Sequence, residues 1–438
     1  MKIKTIGSPC LIYIFLFFVS STFNPNCFAQ SSVTNLGDGI DLADIGLDPV
    51  ANELVFVGSE VESGVDVAKV FRLSSDRTTL SSDTLVGLGP NTVATGISPD
   101  AVRISGHSDS PASIDQLGEG ATWLASSPEA PTGVGFSNGI TRISPASASW
   151  NGGVVGTDGG ADNAYSWTPE GGMEILPDVS SLSTAFGVSA DGGLIAGVST
   201  QFGATNGAAF WDDSGINPLA DPFGISGVAN AVSPNAEFIG GDIDFFNPGT
   251  FETGSQATVW SGGNGAFGIL NLLQIQDPDT LVLKPLLGQV NDVSNSGYAI
   301  GETADGRGFI WHESFDGIAT DFFGAQIFDD WLFETTGLLL PSPSTSIVGI
   351  AEDADTGALH FAVNGPAVIV SDVQPFLLAP PLVLLGDVNL DGEVTFLDIS
   401  PFIAILSTAG FQVEADIDLD AAVTFLDIAP LIAILANQ

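Results

Sequence analysis

A unit of roughly 45 residues that returns along the middle of the chain constrains the fold more than any other feature of the sequence. Its clearest copy is Gly187-Val-Ser-Ala-Asp-Gly-Gly-Leu-Ile-Ala-Gly197, followed by Gly207-Ala-Ala-Phe-Trp211 and Gly215-Ile-Asn-Pro-Leu219. Upstream copies are Gly96-Ile-Ser-Pro-Asp100 with Ala121-Thr-Trp123, and Arg142-Ile-Ser-Pro145 with Ala164-Tyr-Ser-Trp167. Downstream copies are Ala231-Val-Ser-Pro-Asn235 with Ala257-Thr-Val-Trp260, and Asp292-Val-Ser-Asn-Ser-Gly297 with Gly308-Phe-Ile-Trp311. The tryptophans step by 44, 44, 49 and 51 residues. Two degenerate copies flank these five, at Leu47–Leu73 and Val348–Val363.

Each unit reads as a strand, a Ser-Pro or Asp-Gly turn, a second strand, a loop, a strand ending in Trp, a Gly turn and a short last strand. Four short strands per unit is the period of a β-propeller blade. A blade cannot bury both of its faces alone, so the repeated Trp and the aliphatic pair before the second Gly, such as Leu194-Ile195, are expected between blades. The expected fold is mainly β, a propeller of about 5–7 four-stranded blades over residues 30–365. A β-helix is the weaker alternative, because its coils repeat at shorter periods. The pattern A-x-G-V-S-x-D-G-x-x-I-x-G followed by A-x-x-W resembles the extracellular HAF-type repeats over most of residues 90–315. That resemblance implies an extracellular propeller and says little about activity.

The N-terminus carries Lys2 and Lys4, an apolar run from Leu11 to Val19, and the polar stretch that ends Cys27-Phe28-Ala29. This is the layout of a secretory signal peptide, residues 1–29, with cleavage expected after Ala29. The apolar run is too short for a bilayer anchor. Both cysteines, Cys10 and Cys27, fall inside it, so the exported chain is expected to have neither disulfide nor thiolate site. The chain has 9 basic and 52 acidic residues; removing Lys2 and Lys4 leaves 7 − 52 = −45. Such a surface repels nucleic acid and anionic lipid and favours cations, so no nucleic-acid partner is expected. Asp372, Gln374 and three prolines in the apolar stretch Val368–Leu385 argue against a membrane span in the mature chain.

From Gly386 a second, shorter repeat begins, after a Pro-bearing apolar stretch (366–385) expected as a linker. Asp387-Val-Asn-Leu-Asp-Gly-Glu-Val-Thr-Phe-Leu-Asp398 carries Asp387, Asn389, Asp391 and Asp398 at loop positions 1, 3, 5 and 12. Gly392 stands at position 6, where the chain must turn sharply, and Glu393 offers its carbonyl at position 7. Hard oxygen donors at this spacing are those of an EF-hand calcium loop. The second copy lies 29 residues on, with Asp416, Asp418, Asp420, Ala422 (by its carbonyl) and Asp427 as candidate ligands. There Ala421 replaces the position-6 Gly, and a Cβ in a left-handed conformation costs about 1 kcal/mol, so weaker calcium binding is expected. Each loop runs into an apolar segment with Pro at the same offset, Pro401 and Pro430, expected as short helices capped by Thr395 and Thr424.

A duplicated calcium loop lacking its entering helix, at the end of an exported chain, resembles a type I dockerin over 386–438. The resemblance implies calcium as cofactor, and docking to a cohesin-like or cell-surface protein. It also implies association with polysaccharide-active proteins. The family's recognition positions correspond to Phe396-Leu397 and Phe425-Leu426, apolar here where small hydroxylated residues are usual; these side chains equally suit packing of the two halves together.

The three histidines, His107, His312 and His360, stand in separate repeats, and none of the motifs for metalloprotease, serine hydrolase, P-loop or dinucleotide chemistry is present. Glycoside hydrolysis needs only two carboxylates at the right separation, and a sequence this acidic does not single out a pair. Asp100, Asp191 and Asp305 lie in turns, where such side chains bond the backbone. The expected protein is therefore a secreted calcium-binding propeller that docks a partner, with no catalytic residue assigned. The alternative is an extracellular polysaccharide-active hydrolase with its site at the axial mouth.

Overall fold

A computed structural model describes residues 31–374 apart from short stretches, the longest being 110–118, 136–142 and 316–323. Beyond Gln374 it describes Ile399, Phe402, Ile403, Leu406 and Ile428, of which all are helical and Phe402 is buried. The chain separates into two compact units, 1–375 and 376–438.

The first unit is a ring of seven four-stranded antiparallel blades. Blades 1 to 6 span 40–84, 92–133, 143–175, 183–218, 227–272 and 288–327, each ordered from the axis outward in sequence order. Blade 7 takes Ser346–Glu352, Leu359–Asn364 and Val368–Val373 from the C-terminal side and its outermost strand, Ser32–Asn35, from the N-terminal side. Ser32 lies opposite Ser371 and Asn35 opposite Val368, so the ring closes by pairing the two ends of the domain. Ser31 and Ser32 add side-chain bonds to the Asp372 carbonyl and the Ser371 hydroxyl. Closure removes a free sheet edge that would otherwise invite association. The segment 366–385, expected as linker, thus begins inside the propeller, because Val368–Val373 is the third strand of blade 7.

The cores lie between blades. Val55, Val57 and Val70 of blade 1 pack with Ile104 and Trp123 of blade 2. Phe210 and Leu219 of blade 4 pack with Ile239 and Trp260 of blade 5. Trp123, Trp167, Trp211, Trp260 and Trp311 all sit in third strands and are at most 6% exposed, as the repeat predicts. Their value is more than bulk. The indole N–H of Trp123 donates to the Val86 carbonyl, that of Trp211 to Pro177 and that of Trp260 to Ala220, at 2.8–3.0 Å. Each of these carbonyls lies on the connection leaving the preceding blade, so one side chain fills the interface and fixes the entering chain. The flanking copies became blades 1 and 7, where Phe71 and Val370 occupy the Trp register.

The Ser of the repeat caps the first turn in blades 2, 4 and 5. Ser98, Ser189 and Ser233 are fully buried; their hydroxyls accept the N–H of Arg103, Leu194 and Phe238 and donate to Asp100, Asp191 and Asn235. Blade 3 corrects the sequence alignment. Ser144-Pro145 lies inside the innermost strand, Ile143–Ala148, and strand register makes Ala148 the equivalent of Ile97. The apparent motif at Arg142–Pro145 is therefore displaced by five residues, because a Ser-Pro pair in an extended strand has the same letters as one in a turn.

Candidate functional site at the propeller axis

Every innermost strand carries a β-bulge against its neighbour at the same level: between Leu42 and Asp44, Ala94 and Gly96, Pro145 and Ser147, Ala185 and Gly187, Ala229 and Ala231, Val290 and Asp292, and Ile347 and Gly349. Bulges accentuate twist and re-aim side chains at barrel rims and sites. Here they bend seven strands around a common axis, and the residue after each bulge stands where the blades crowd together. That position is Gly in blades 2, 4 and 7. At Gly187 a Cβ would lie 2.8 Å from the Ala231 Cα of the next blade, so no side chain fits.

In blades 1 and 6 the same position is aspartate. Asp44 accepts the N–H of Ile45 (2.7 Å) and that of Ile97 in the next blade (2.8 Å). Asp292 does the same two blades round the ring, accepting from Val293 (2.8 Å) and from Ile350 of the next blade (2.9 Å). Each carboxylate thereby accepts two backbone donors, one from its own blade and one from the next. Asn230 and Asn291, inside the bulges, bridge in the other sense, donating to the carbonyls of Val290 and Ile347 in the following blades.

Asp44 and Asp292 line one axial cavity of about 130 Å3, walled by Ile45, Ile97, Val188, Val232, Val293 and Ile350 and rimmed by Pro49, Pro99, Pro234, Asn295 and Glu352. Both carboxyls lie deep in the protein yet retain some accessibility, because they face this channel rather than bulk water. Burial pushes Asp292 up to about 7 against the pull of its two N–H donors. Asp44 is raised well above the ordinary carboxylate range by burial and then by the charge of Asp292. The pair is thus set to share its ionisation: one charge at the axis disfavours the second. Chemically the arrangement is a polar spot in an aliphatic funnel, able to hold a proton near neutral pH.

The ten predicted calcium ligands, Asp387, Asn389, Asp391, Glu393, Asp398, Asp416, Asp418, Asp420, Ala422 and Asp427, lie outside the described residues. Among the described residues no three His, Cys, Asp or Glu side chains gather as a metal cluster. The histidines remain apart, in blades 2, 6 and 7. His312 stacks on Tyr298 at 4.2 Å and bonds the Ser296 carbonyl through Nε2. His360 is fully buried, accepts the Asp372 N–H at Nδ1, and is pushed down to about 4 by burial. Asp191 and Asp305 act as turn residues, bonded to Ser189 and Gly193 and to Thr303 and Arg307, and both are held below the usual carboxylate range by those bonds. The axial aspartates were not singled out by the sequence. The available signal was that Asp292 opens a repeat copy at a position that Gly96, Gly187 and Ala231 occupy in other copies.

No protein-family model matches the chain, and no curated protein matches it. Among solved structures, the β-propeller domain of the Trilobed protease from Pyrococcus furiosus is similar over 77% of this chain and 94% of its own, at 10% identity and a TM-score of 0.45. Virginiamycin B lyase from Staphylococcus aureus is similar over 78% and 98%, at 11% identity and a TM-score of 0.45. TolB from Acinetobacter baumannii shares 17% identity over 52% of this chain, at a TM-score of 0.35, and the chain spans about half of TolB's length.

Proposed function

We propose that this protein is an exported, calcium-dependent docking protein: a seven-bladed propeller that presents its turns to a polymer or protein, tethered through the 386–438 segment. The observation that carries the reading is the duplicated twelve-residue loop, Asp387–Asp398 and Asp416–Asp427, with oxygen donors at positions 1, 3, 5 and 12 in both copies. Its resemblance to a type I dockerin supports a cohesin-like or cell-surface partner, and the layout of residues 1–29 supports export. The propeller supports a binding or scaffold role: it is rigid, closed, and offers loops at both ends of a ring.

The test is a calcium titration by calorimetry on the exported chain beside Asp398→Ala and Asp427→Ala. Two binding events, each lost with its own variant, support the reading; one event lost only with Asp398→Ala marks the Ala421 loop as degenerate. No heat at about millimolar calcium, weaker than even extracellular modules, sinks it.

One observation favours a second reading, a polysaccharide-active hydrolase. Two carboxyls share the axial channel, and one titrates near neutrality, as a general acid must. Both are occupied by backbone donors, which favours the structural role. A reducing-sugar screen with the parent and Asp292→Asn separates the two: turnover abolished by that substitution would establish the hydrolase.

A further inference from the structure

Seven bulged strands meet at the axis, and five of them do without a carboxyl: the position after the bulge is Gly96, Ser147, Gly187, Ala231 and Gly349 in blades 2, 3, 4, 5 and 7. The bulge by itself therefore does not demand Asp44 or Asp292. A carboxylate has about four lone-pair sites. Each of these two gives one site on each oxygen to a backbone N–H. About two sites per carboxyl are left, on side chains that line the axial cavity. Among the described lining residues no Lys, Arg or His answers them, and residues 143–152 of blade 3 include no ionisable side chain. The remaining carboxylate of the lining, Glu352 at the rim, is turned to Ser296, whose N–H and hydroxyl it accepts at 2.9 Å.

Charge, wall and size together select what can fill such a cavity. A carboxyl pair that shares one proton carries a single negative charge, because ionising one group disfavours the other. Exchanging that proton for a monocation, with both groups ionised, leaves the same single negative charge. A divalent metal is poorly served. Calcium takes about six to eight oxygens, and no three His, Cys, Asp or Glu side chains gather among the described residues. A quaternary ammonium wants aromatic faces, and the described lining has none. A primary ammonium carries N–H donors enough for both carboxyls, and an aliphatic stem suits the Ile and Val walls. A cavity of about 150 Å3 holds a benzene-sized body. At about 130 Å3 this one suits a stem of about four carbons.

We propose that the axial cavity binds a primary alkylammonium, its nitrogen donating to Asp44 and Asp292 and its short aliphatic body packing on Ile45, Ile97, Val188, Val232, Val293 and Ile350. Binding requires neither the calcium loops nor a docked partner. A hydrolase would use the same cavity, but binding is read without any polysaccharide present, so failure of the hydrolase reading leaves the amine site standing.

The experiment titrates the exported chain by calorimetry, in about 0.15 M salt to screen its acidic surface, with n-butylammonium, ammonium and 1-butanol. The expected result is one saturable site for n-butylammonium. Affinity should be weaker by about tenfold or more for ammonium, which lacks the apolar body, and for 1-butanol, which lacks the charge. The proton on Asp292 competes with the ligand below about 7, whereas the amine stays charged throughout. Affinity should therefore fall about tenfold between about pH 8 and about pH 6. Asp292→Asn keeps the shape of the cavity and is expected to weaken binding and to flatten that pH dependence; Asp44→Asn is expected to weaken it in the same direction. Addition of about 1 mM calcium should leave the titration unchanged, and its abolition would assign the amine to the 386–438 loops and overturn the proposal. Equal affinity for ammonium or for 1-butanol also overturns it, because either result removes one half of the site. So does binding indifferent to both substitutions, or no saturation by about 10 mM.

Discussion

Replacing Asp292 by Asn isolates the energetic consequence of placing a carboxylate at the axis. The folded-state value is about 7 against an ordinary 3.8, so the native protein holds this proton more tightly than the unfolded chain does. The associated stability is fully present below about pH 3.8 and is lost as the pH rises through about 7. Between pH 5 and pH 8 the parent therefore loses about two pH units' worth, at about 1.4 kcal/mol each, or about 3 kcal/mol. Asn does not titrate, so the Asn variant escapes this loss. It has a cost of its own, because Asp292 accepts with both oxygens and Asn has one. Either Val293 or Ile350 is left facing an amide N–H, at about 1–3 kcal/mol independent of pH. The difference between variant and parent should thus swing by about 3 kcal/mol in the variant's favour from pH 5 to pH 8. Urea unfolding of both proteins at the two pH values measures it; acidic groups away from the axis, common to both, cancel, while Asp44 loses the Asp292 charge that helps to raise it. A constant difference would refute the assignment of a neutral-range carboxyl at the axis, and a swing in the opposite sense would mean that Asp292 is stabilised as an anion.

The comparison must be differential because His360 pulls the other way. Its value is about 4 against 6.5, so its contribution is present above 6.5 and is lost as the pH falls toward 4, about 3 kcal/mol in all. The two groups act in opposite senses across the same window, so the parent alone would hide part of the axial contribution.

Further expectations follow from the ring. Trp260→Phe removes the donor to the Ala220 carbonyl and leaves space at a site that is 0% exposed, and should cost about 2–4 kcal/mol by urea unfolding. Arg77→Ala leaves the poorly accessible Asp372 carboxylate without the cation that ties blade 1 to blade 7, at about 3–5 kcal/mol by thermal unfolding. Adding Asp372→Asn should recover part of that loss, since the two effects are not additive. Removing residues up to Asn35 strips the closing strand, at about 1 kcal/mol per lost backbone hydrogen bond. It bares the edge of Val368–Val373, so size-exclusion chromatography should show concentration-dependent association.

The propeller was legible because its repeat has physical causes that act one residue at a time. A buried Ser that accepts a turn N–H, an Asp that bonds that Ser, and a Trp that clasps the preceding connection each demand one residue type at one offset. Repeated passes around a ring write the demand into the sequence. Blades 1 and 7 were faint because Phe71 and Val370 fill the same space without the indole donor, and because blade 7 is assembled from both ends of the domain. The axial site was hidden for the opposite reason. Its geometry comes from backbone bulges, which leave no residue signature: the position after the bulge is Asp, Gly, Ser, Gly, Ala, Asp and Gly in turn around the ring. What that position must do is fit a crowded axis, and small residues meet the need by default. Aspartate meets it only where the next blade offers a free N–H, so Asp44 and Asp292 become recognisable as a pair only once Ile97 and Ile350 are seen beside them. Blade 7 lies between blade 6 and blade 1, and there Gly349 makes room: a Cβ on it would come within 2.8 Å of the Asp44 Oδ1. The glycine of one blade thus permits the carboxylate of the next, a dependence between residues 305 positions apart in the chain that no local pattern could carry.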